Sequence, residues 1–252
     1  MSSAWTPLGD ELARWRDAGQ VADFWWRDDD AGQPAPALDQ LVRLAQETRI
    51  PLALAVIPQH ASVDLVQSPG ALVTILQHGC DHRSRAGAGE KKTEFPAAEP
   101  VAQALDRLAQ GRARIAGPQT VPVLVPPWNR LSSPELLQQL AKSGYQGLSR
   151  FGPRGRATLA PGLVQVNTHV DIIDWHGTRG FVGMDAAIAA TVAHLRARRE
   201  GLIDRLEATG VLSHHAVHDA DCWDFLARLF DFGQREEAVR WRAAAELFAV
   251  NR

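Results

Sequence analysis

His78 and His82 stand four residues apart in the stretch Gln-His-Gly-Cys-Asp-His-Arg-Ser, downstream of the acidic triplet Asp28-Asp29-Asp30. One carboxylate and two imidazoles are the minimum protein set for an open catalytic site for a divalent metal. An open position matters because a metal that keeps water can lower that water's pKa and generate a nucleophile. The set therefore predicts a metal-dependent hydrolase. Three consecutive aspartates on an extended segment cannot all face one metal, since neighbours point to opposite sides; at a strand end the backbone can turn and bring two together. The same triplet could serve as an Asx-rich turn. The histidines could share one helix face at i and i+4, or sit on a loop loosened by Gly79. Cys80, between them, could be a soft ligand or a packed thiol. A structural zinc site would need a fourth protein ligand, and Cys80 is the nearby candidate.

A second histidine cluster, His214-His215, follows Val211-Leu212-Ser213. Imidazole titrates near neutrality and suits protonation of a leaving amine, but on a strand only one of the two can face a pocket. Pro126-Pro127-Trp128-Asn129-Arg130 offers a rigid turn with an aromatic face for a sugar ring or a pocket wall. Asp171 and Asp174, in His169-Val-Asp-Ile-Ile-Asp-Trp175, could hold a histidine in its working orientation.

These groups must be positioned by alternating elements. Hydrophobic spacing predicts helices over 8–18, 37–48, 99–116, 134–143, 185–209, 222–229 and 235–248. Short apolar runs predict strands over 21–26, 51–57, 73–77, 121–125, 146–149, 163–173 and 211–213. Strand and helix in regular succession indicate a parallel α/β fold. The polar clusters fall at the ends of the predicted strands, which is the layout of an α/β barrel whose site is built at the carboxyl ends of its strands. No repeat or linker divides the 252 residues, and one domain is expected.

A net charge of −2 gives no nucleic-acid footprint, and no run approaches the ~18 apolar residues of a membrane span. Two cysteines, Cys80 and Cys222, make no disulfide framework, and the N-terminus has neither a basic nor an apolar leader region. A cytoplasmic protein acting on a small molecule or saccharide is expected, with homo-oligomerisation left open.

In this order the motifs resemble the NodB-like polysaccharide deacetylases, whose pattern is Asp-Asp, His-x-x-x-His, an aromatic-containing Pro motif, Asp-Trp and a late Leu-x-His. The resemblance runs from Val21 to Asp219. It implies a distorted (β/α) barrel of seven or eight mostly parallel strands. It also implies hydrolysis of an N-acyl or related amide with a divalent metal, usually zinc. On this resemblance Asp29 is the general base and Asp30, His78 and His82 bind the metal, with Asp28-Asp29 as the alternative register. Pro127, Trp128 and Asn129 form a groove wall, Asp174-Trp175 is the Asp-Trp motif, and His214, with His215 as alternative, is the acid. The metal would polarise the carbonyl and bind water, Asp29 would accept the proton, and His214 would protonate the leaving nitrogen. Many members carry an arginine at the start of the Pro motif that pairs with the catalytic aspartate; Val125 stands there, with Arg27 and Arg130 as candidate substitutes. The leaderless N-terminus moves the expected substrate toward a cytoplasmic sugar, nucleotide-sugar, ureide, cyclic imide or formamide. A non-catalytic carbohydrate-binding barrel is the competing reading.

Overall fold

A computed structural model describes residues 4–249. The chain begins with α1 (Thr6–Asp17), β1 (Ala22–Ala31), α2 (Pro36–Thr48), β2 (Leu52–Val56), α3 (Val63–Gln67) and β3 (Val73–His78). The alternation continues through α4 (Val101–Arg114), β4 (Thr120–Val125), α5 (Pro134–Gln139) and β5 (Gly147–Leu148). Then come β6 (Thr158–Ala160), β7 (Leu163–Gln165), β8 (Val170–Asp171), α6 (Met184–Glu200), β9 (Thr209–Ser213), α7 (Ala220–Arg235), β10 (Val239–Trp241) and α8 (Ala244–Leu247).

Every pairing among β1–β5, β7, β8 and β9 is parallel, with β1 between β2 and β9; β6 alone runs antiparallel, against β7. One stretch of chain closes the sheet on itself. At its start β7 pairs with β5, and at its end β8 pairs with β9. Between them, Thr168 donates to Arg150 O at 3.0 Å and His169 to Gly210 O at 2.7 Å. The ring therefore runs β1-β2-β3-β4-β5, the 163–171 stretch, β9 and back to β1, the distorted parallel barrel that the strand-end argument requires.

Alternation along β1 decides what lies inside. Trp25 packs with Ala53, Ala55, Leu76, Val123, Val125, Val166 and Phe248 in the barrel interior. Phe24 and Trp26 belong to the outer layer with Leu52, Leu54, Val73, Ile75 and the apolar faces of α1, α2 and α7. Small alanines on β2 make room for the Trp25 indole, whose Nε1 donates to Asn167 O at 3.0 Å. A third cluster, with Phe95, Leu108, Leu124, Leu136 and Leu148, packs α4 and α5 against the sheet.

Three predicted boundaries move. β1 does not stop at Trp26 but runs through the acidic triplet. The long helix predicted over 185–209 ends at Glu200, where Gly201 takes a left-handed φ of +73° as its cap. Beyond it Leu202 and Leu206 are 75% and 85% exposed, so their apolar spacing continues no buried face. The predicted helix over 235–248 is split by β10, because residues 239–241 pair with Ala22, Asp23 and Phe24 of β1, and long-range pairing overrides local propensity. Beyond these boundaries, the strand predicted over 163–173 is broken into β7 and β8, the helix predicted over 222–229 extends from Ala220 to Arg235 as α7, and the other predicted elements fall within a few residues of expectation.

Candidate active site

The candidate residues gather at the carboxyl ends of the barrel strands. On β1 the side chains alternate: Arg27 and Asp29 follow Trp25 toward the interior, and Asp28 follows Trp26 outward. Pairing with β2 shifts register between Asp28 and Ala31, and Asp30 adopts φ +71°. That irregularity turns the third aspartate out of strict alternation, as bulges near strand ends do.

Asp30 Oδ1 lies 3.0 Å from His78 Nε2 and 3.2 Å from His82 Nε2. His78 ends β3, and Gly79 and His82, at φ +58° and +57°, bend the following turn so that both rings face Asp30. The His78 tautomer follows from its other nitrogen. Nδ1 is 3.0 Å from Val125 O, which can only accept, so Nδ1 carries the hydrogen and Nε2 presents a lone pair. A lone pair and a carboxylate oxygen at 3.0 Å need a cation between them, either a proton or a metal. Burial disfavours a charged His78, yet the Asp30 hydrogen bond and the Asp29 and Asp30 charges outweigh it and raise its pKa. Burial likewise works against charge on Asp30, but the two histidines prevail and hold its carboxyl far below the usual range. Two imidazoles and a carboxylate suit a divalent metal with open positions. Cys80 is not among the converging donors: its buried thiol is pushed up, by burial first and by Glu94 beside it, beyond the usual range.

Asp29 is gripped by Arg27. Nε donates to Oδ1 at 2.8 Å and Nη2 to Oδ2 at 3.0 Å, and both side chains are buried. The guanidinium is itself fixed by Ser149 Oγ at 2.6 Å and Asn129 Oδ1 at 2.6 Å. Arg130 instead reaches Lys92 O at the surface. Of the two candidate arginines, it is Arg27, two residues before the aspartate on β1, that pairs with Asp29.

His214 and His215 lie just past the end of β9 at Ser213, His215 opening a short 3-10 turn, and they take different partners. His215 Nδ1 is 2.5 Å from Asp28 Oδ1 on the outer face of β1. Asp28 Oδ2 also accepts from Ser213 Oγ at 2.6 Å and the His215 amide at 3.0 Å, and Trp26 Nε1 donates to Ser213 Oγ at 2.8 Å. Burial opposes charge on both partners, yet their attraction lowers the Asp28 pKa and raises that of His215. His214 has a buried Nδ1 without a hydrogen bond, and its ring meets the edge of Trp175 at 4.7 Å and 84°. Burial is the largest influence on Asp171 and raises its pKa, the His214 charge opposing it and the Asp29 charge adding to it. Asp171 Oδ2 accepts from Trp175 Nε1 at 2.8 Å.

Two expected site residues, Asp174 and Asn129, have other occupations. Asp174 turns onto its own loop, accepting from Gly177 N at 2.9 Å and Thr178 N at 3.2 Å, while Asp171 Oδ1 accepts the Ile173 amide at 3.0 Å. Asn129 supports Arg27, as given above. Trp128 adopts φ +55° inside the turn Pro127–Asn129 and lays its ring 4.6 Å from that of His82. Pro127 is buried behind Gly79, and a β-carbon there would meet its Cδ at 2.6 Å. Trp128 and Trp175 thus lie against His82 and His214 respectively.

A second group of donors, His169, His194 and Glu207, lies buried near the start of β9. His169 Nδ1 accepts the Gly210 N–H at 3.0 Å, so its Nε2 carries the hydrogen, 3.3 Å from Glu207 Oε1. A protonated Nε2 cannot ligate a metal, and Glu207 also accepts from the Arg154 and Asn167 amides at 2.9 and 3.3 Å. This group is a hydrogen-bonded brace for the closing stretch.

No family model matches the chain, and no curated protein matches it. Its structural neighbours are family 4 carbohydrate esterases and polysaccharide deacetylases, and it shares their fold. A family 4 carbohydrate esterase from Streptomyces lividans, in complex with acetate, is 17% identical over 87% of this chain and 90% of its own, at a TM-score of 0.54. A Mycobacterium smegmatis protein described as a polysaccharide deacetylase is 16% identical over 91% and 90%, at 0.60. A polysaccharide deacetylase from Bacillus cereus is 14% identical over 89% and 92%, at 0.51.

Proposed function

We propose that this chain is a metal-dependent hydrolase of a non-peptide carbon–nitrogen bond, acting by N-deacetylation of a sugar or sugar derivative. The observation that carries the reading is the meeting of Asp30 Oδ1 with the two Nε2 atoms of His78 and His82 beside an arginine-held Asp29. A divalent cation held by Asp30, His78 and His82, zinc being the first candidate, supplies Lewis acidity for an acyl carbonyl and acidifies water. Asp29 takes the proton of the attacking water, and Arg27 keeps its carboxylate in a single orientation. His214 delivers a proton to the departing nitrogen. His215, engaged by Asp28 on the outer face, orders the strand end that carries His214. Trp128 and Trp175 offer flat apolar walls of the kind that stack on sugar rings. Acetate, seen with the Streptomyces lividans esterase, is the product such a reaction releases. Both cysteines are free and buried, which supports a reducing compartment and hence a cytoplasmic saccharide as substrate.

The test is acyl release by zinc-loaded wild type and Asp29→Asn across N-acetylated sugars, nucleotide-sugars, cyclic imides, ureides and formamides. Release of acetate from a sugar by wild type, lost in Asp29→Asn, is expected. Turnover of an imide, ureide or formamide instead would redirect the substrate. No turnover, with saccharide binding retained, would make the chain a binding barrel.

A further inference from the structure

Glu94 belongs to none of the strands whose ends form the site, yet it is fully buried against the turn that joins His78 to His82. Its Oε1 accepts two successive amides of that turn, Cys80 N–H at 2.9 Å and Asp81 N–H at 3.3 Å. The turn's other polar groups are held by neighbouring strand ends. Gly79 N–H donates to Val125 O at 3.0 Å, Cys80 O accepts from Gln59 N at 2.9 Å, and Gly79 O accepts from Gln77 Nε2 at 3.0 Å. Glu94 thus holds the middle of the turn, the part that sets how far apart and at what angle the two histidines stand.

The fit depends on residue 79 having no side chain. A β-carbon at Gly79 would collide with Glu94 Oε2, so the carboxylate occupies the volume a side chain would fill. Gly79 also needs its φ of +58°, which glycine adopts without strain. Gly79 and Glu94 are in this sense one device, built from positions far apart in the chain. Arg85 Nη1, 3.8 Å from Oε1, and Arg107 Nη2, 3.4 Å from Glu94 O, keep positive charge nearby.

We propose that Glu94 is a positioning residue for the metal: by accepting the Cys80 and Asp81 amides it pre-sets the His78–His82 geometry and so the affinity for the cation. The proposal rests on reading Asp30, His78 and His82 as the cation site. Outer-sphere partners of this kind typically govern about 10- to 100-fold in metal affinity.

The experiment is Zn²⁺ affinity by competition with a chromogenic chelator, on the full chain, for wild type, Glu94→Ala, Glu94→Gln and the control Glu207→Gln. Glu94→Ala should bind about 10- to 100-fold more weakly. Glu94→Gln, whose amide oxygen can still accept both N–H groups, should stay within about threefold of wild type, as should Glu207→Gln. Folded Glu94→Ala with wild-type affinity would overturn the proposal. So would Glu94→Gln weakening as much as Glu94→Ala, since charge and not the acceptor would then be responsible. If circular dichroism shows Glu94→Ala unfolded, Glu94→Asp decides: its withdrawn carboxylate should weaken binding at least about fivefold, and unchanged affinity would again overturn the idea. Wild type that binds no Zn²⁺ would defeat the cation-site reading itself, a separate outcome.

Discussion

Arg27 holds Asp29 by two parallel hydrogen bonds, 2.8 and 3.0 Å, from a position two residues earlier on the same strand. Residues i and i+2 share a strand face, so β1 itself brings the guanidinium and carboxylate together. A bidentate pair fixes orientation as well as charge.

Removing one partner of a buried pair leaves the other charge uncompensated. Arg27→Ala should therefore cost about 3–5 kcal/mol of unfolding free energy. Arg27→Ala/Asp29→Ala should cost less than the sum of the two single changes, by denaturant titration of all four proteins. Additive losses would mean that the pair is not coupled. Arg27→Lys should keep the charge but lose the fork, lowering kcat with metal content unchanged.

Metal content separates the roles of the histidines. His78→Ala should lose most bound metal by elemental analysis, and His214→Ala should retain it while kcat falls about 10²- to 10⁴-fold. Equal metal loss in both would reassign His214.

The Asp28–His215 pair predicts a pH window. The lowered Asp28 pKa contributes stability that is present above its unfolded value, ~3.9, and is lost as pH falls through the folded value. The raised His215 pKa contributes stability that is full below ~6.5 and is lost as pH rises through the folded value. The stability difference between wild type and His215→Gln should be largest between pH ~4 and ~6.5 and shrink on both sides. A difference that does not vary with pH would show that the pair is uncharged.

Trp175 packs against His214 and is 37% exposed. Trp175→Ala should raise KM for a sugar substrate more than it lowers kcat, with metal affinity unchanged. A kcat effect alone would make the indole a support for His214 and not a wall.

The alternating elements and the polar strand ends were legible because each depends on local periodicity and on residue type. That His214 and His215 take different partners was expected from alternation on a strand, but both lie past the end of β9 and only the fold sets which partner each takes. That Asp174 caps its own loop was not legible, since its partners Gly177 and Thr178 follow Trp175 and are brought to it only by the fold of residues 174–180. The Arg27 pairing was signalled by the i, i+2 spacing. Glu94 carried no local signal: its partners are fourteen and thirteen residues away, and its role appears only when the turn is folded. β10 was hidden because its reason for being a strand lies in residues 22–24.

The alternation of β1 has a consequence for how the chain finds its native alignment. Read as letters, residues 25–30 of the strand are two tryptophans, one arginine and three aspartates. Slide it by one place and an aromatic still enters the barrel, and an aspartate still arrives where Asp29 stood. A sheet usually guards against such slippage by contrast between its two faces. Here that contrast is concentrated in Arg27, the one residue of the six whose neighbours on both sides are chemically unlike it. Its docking on Ser149 and Asn129 makes it a fiducial mark for the strand, so weakening it should show first as misalignment during folding and only afterwards as lost chemistry.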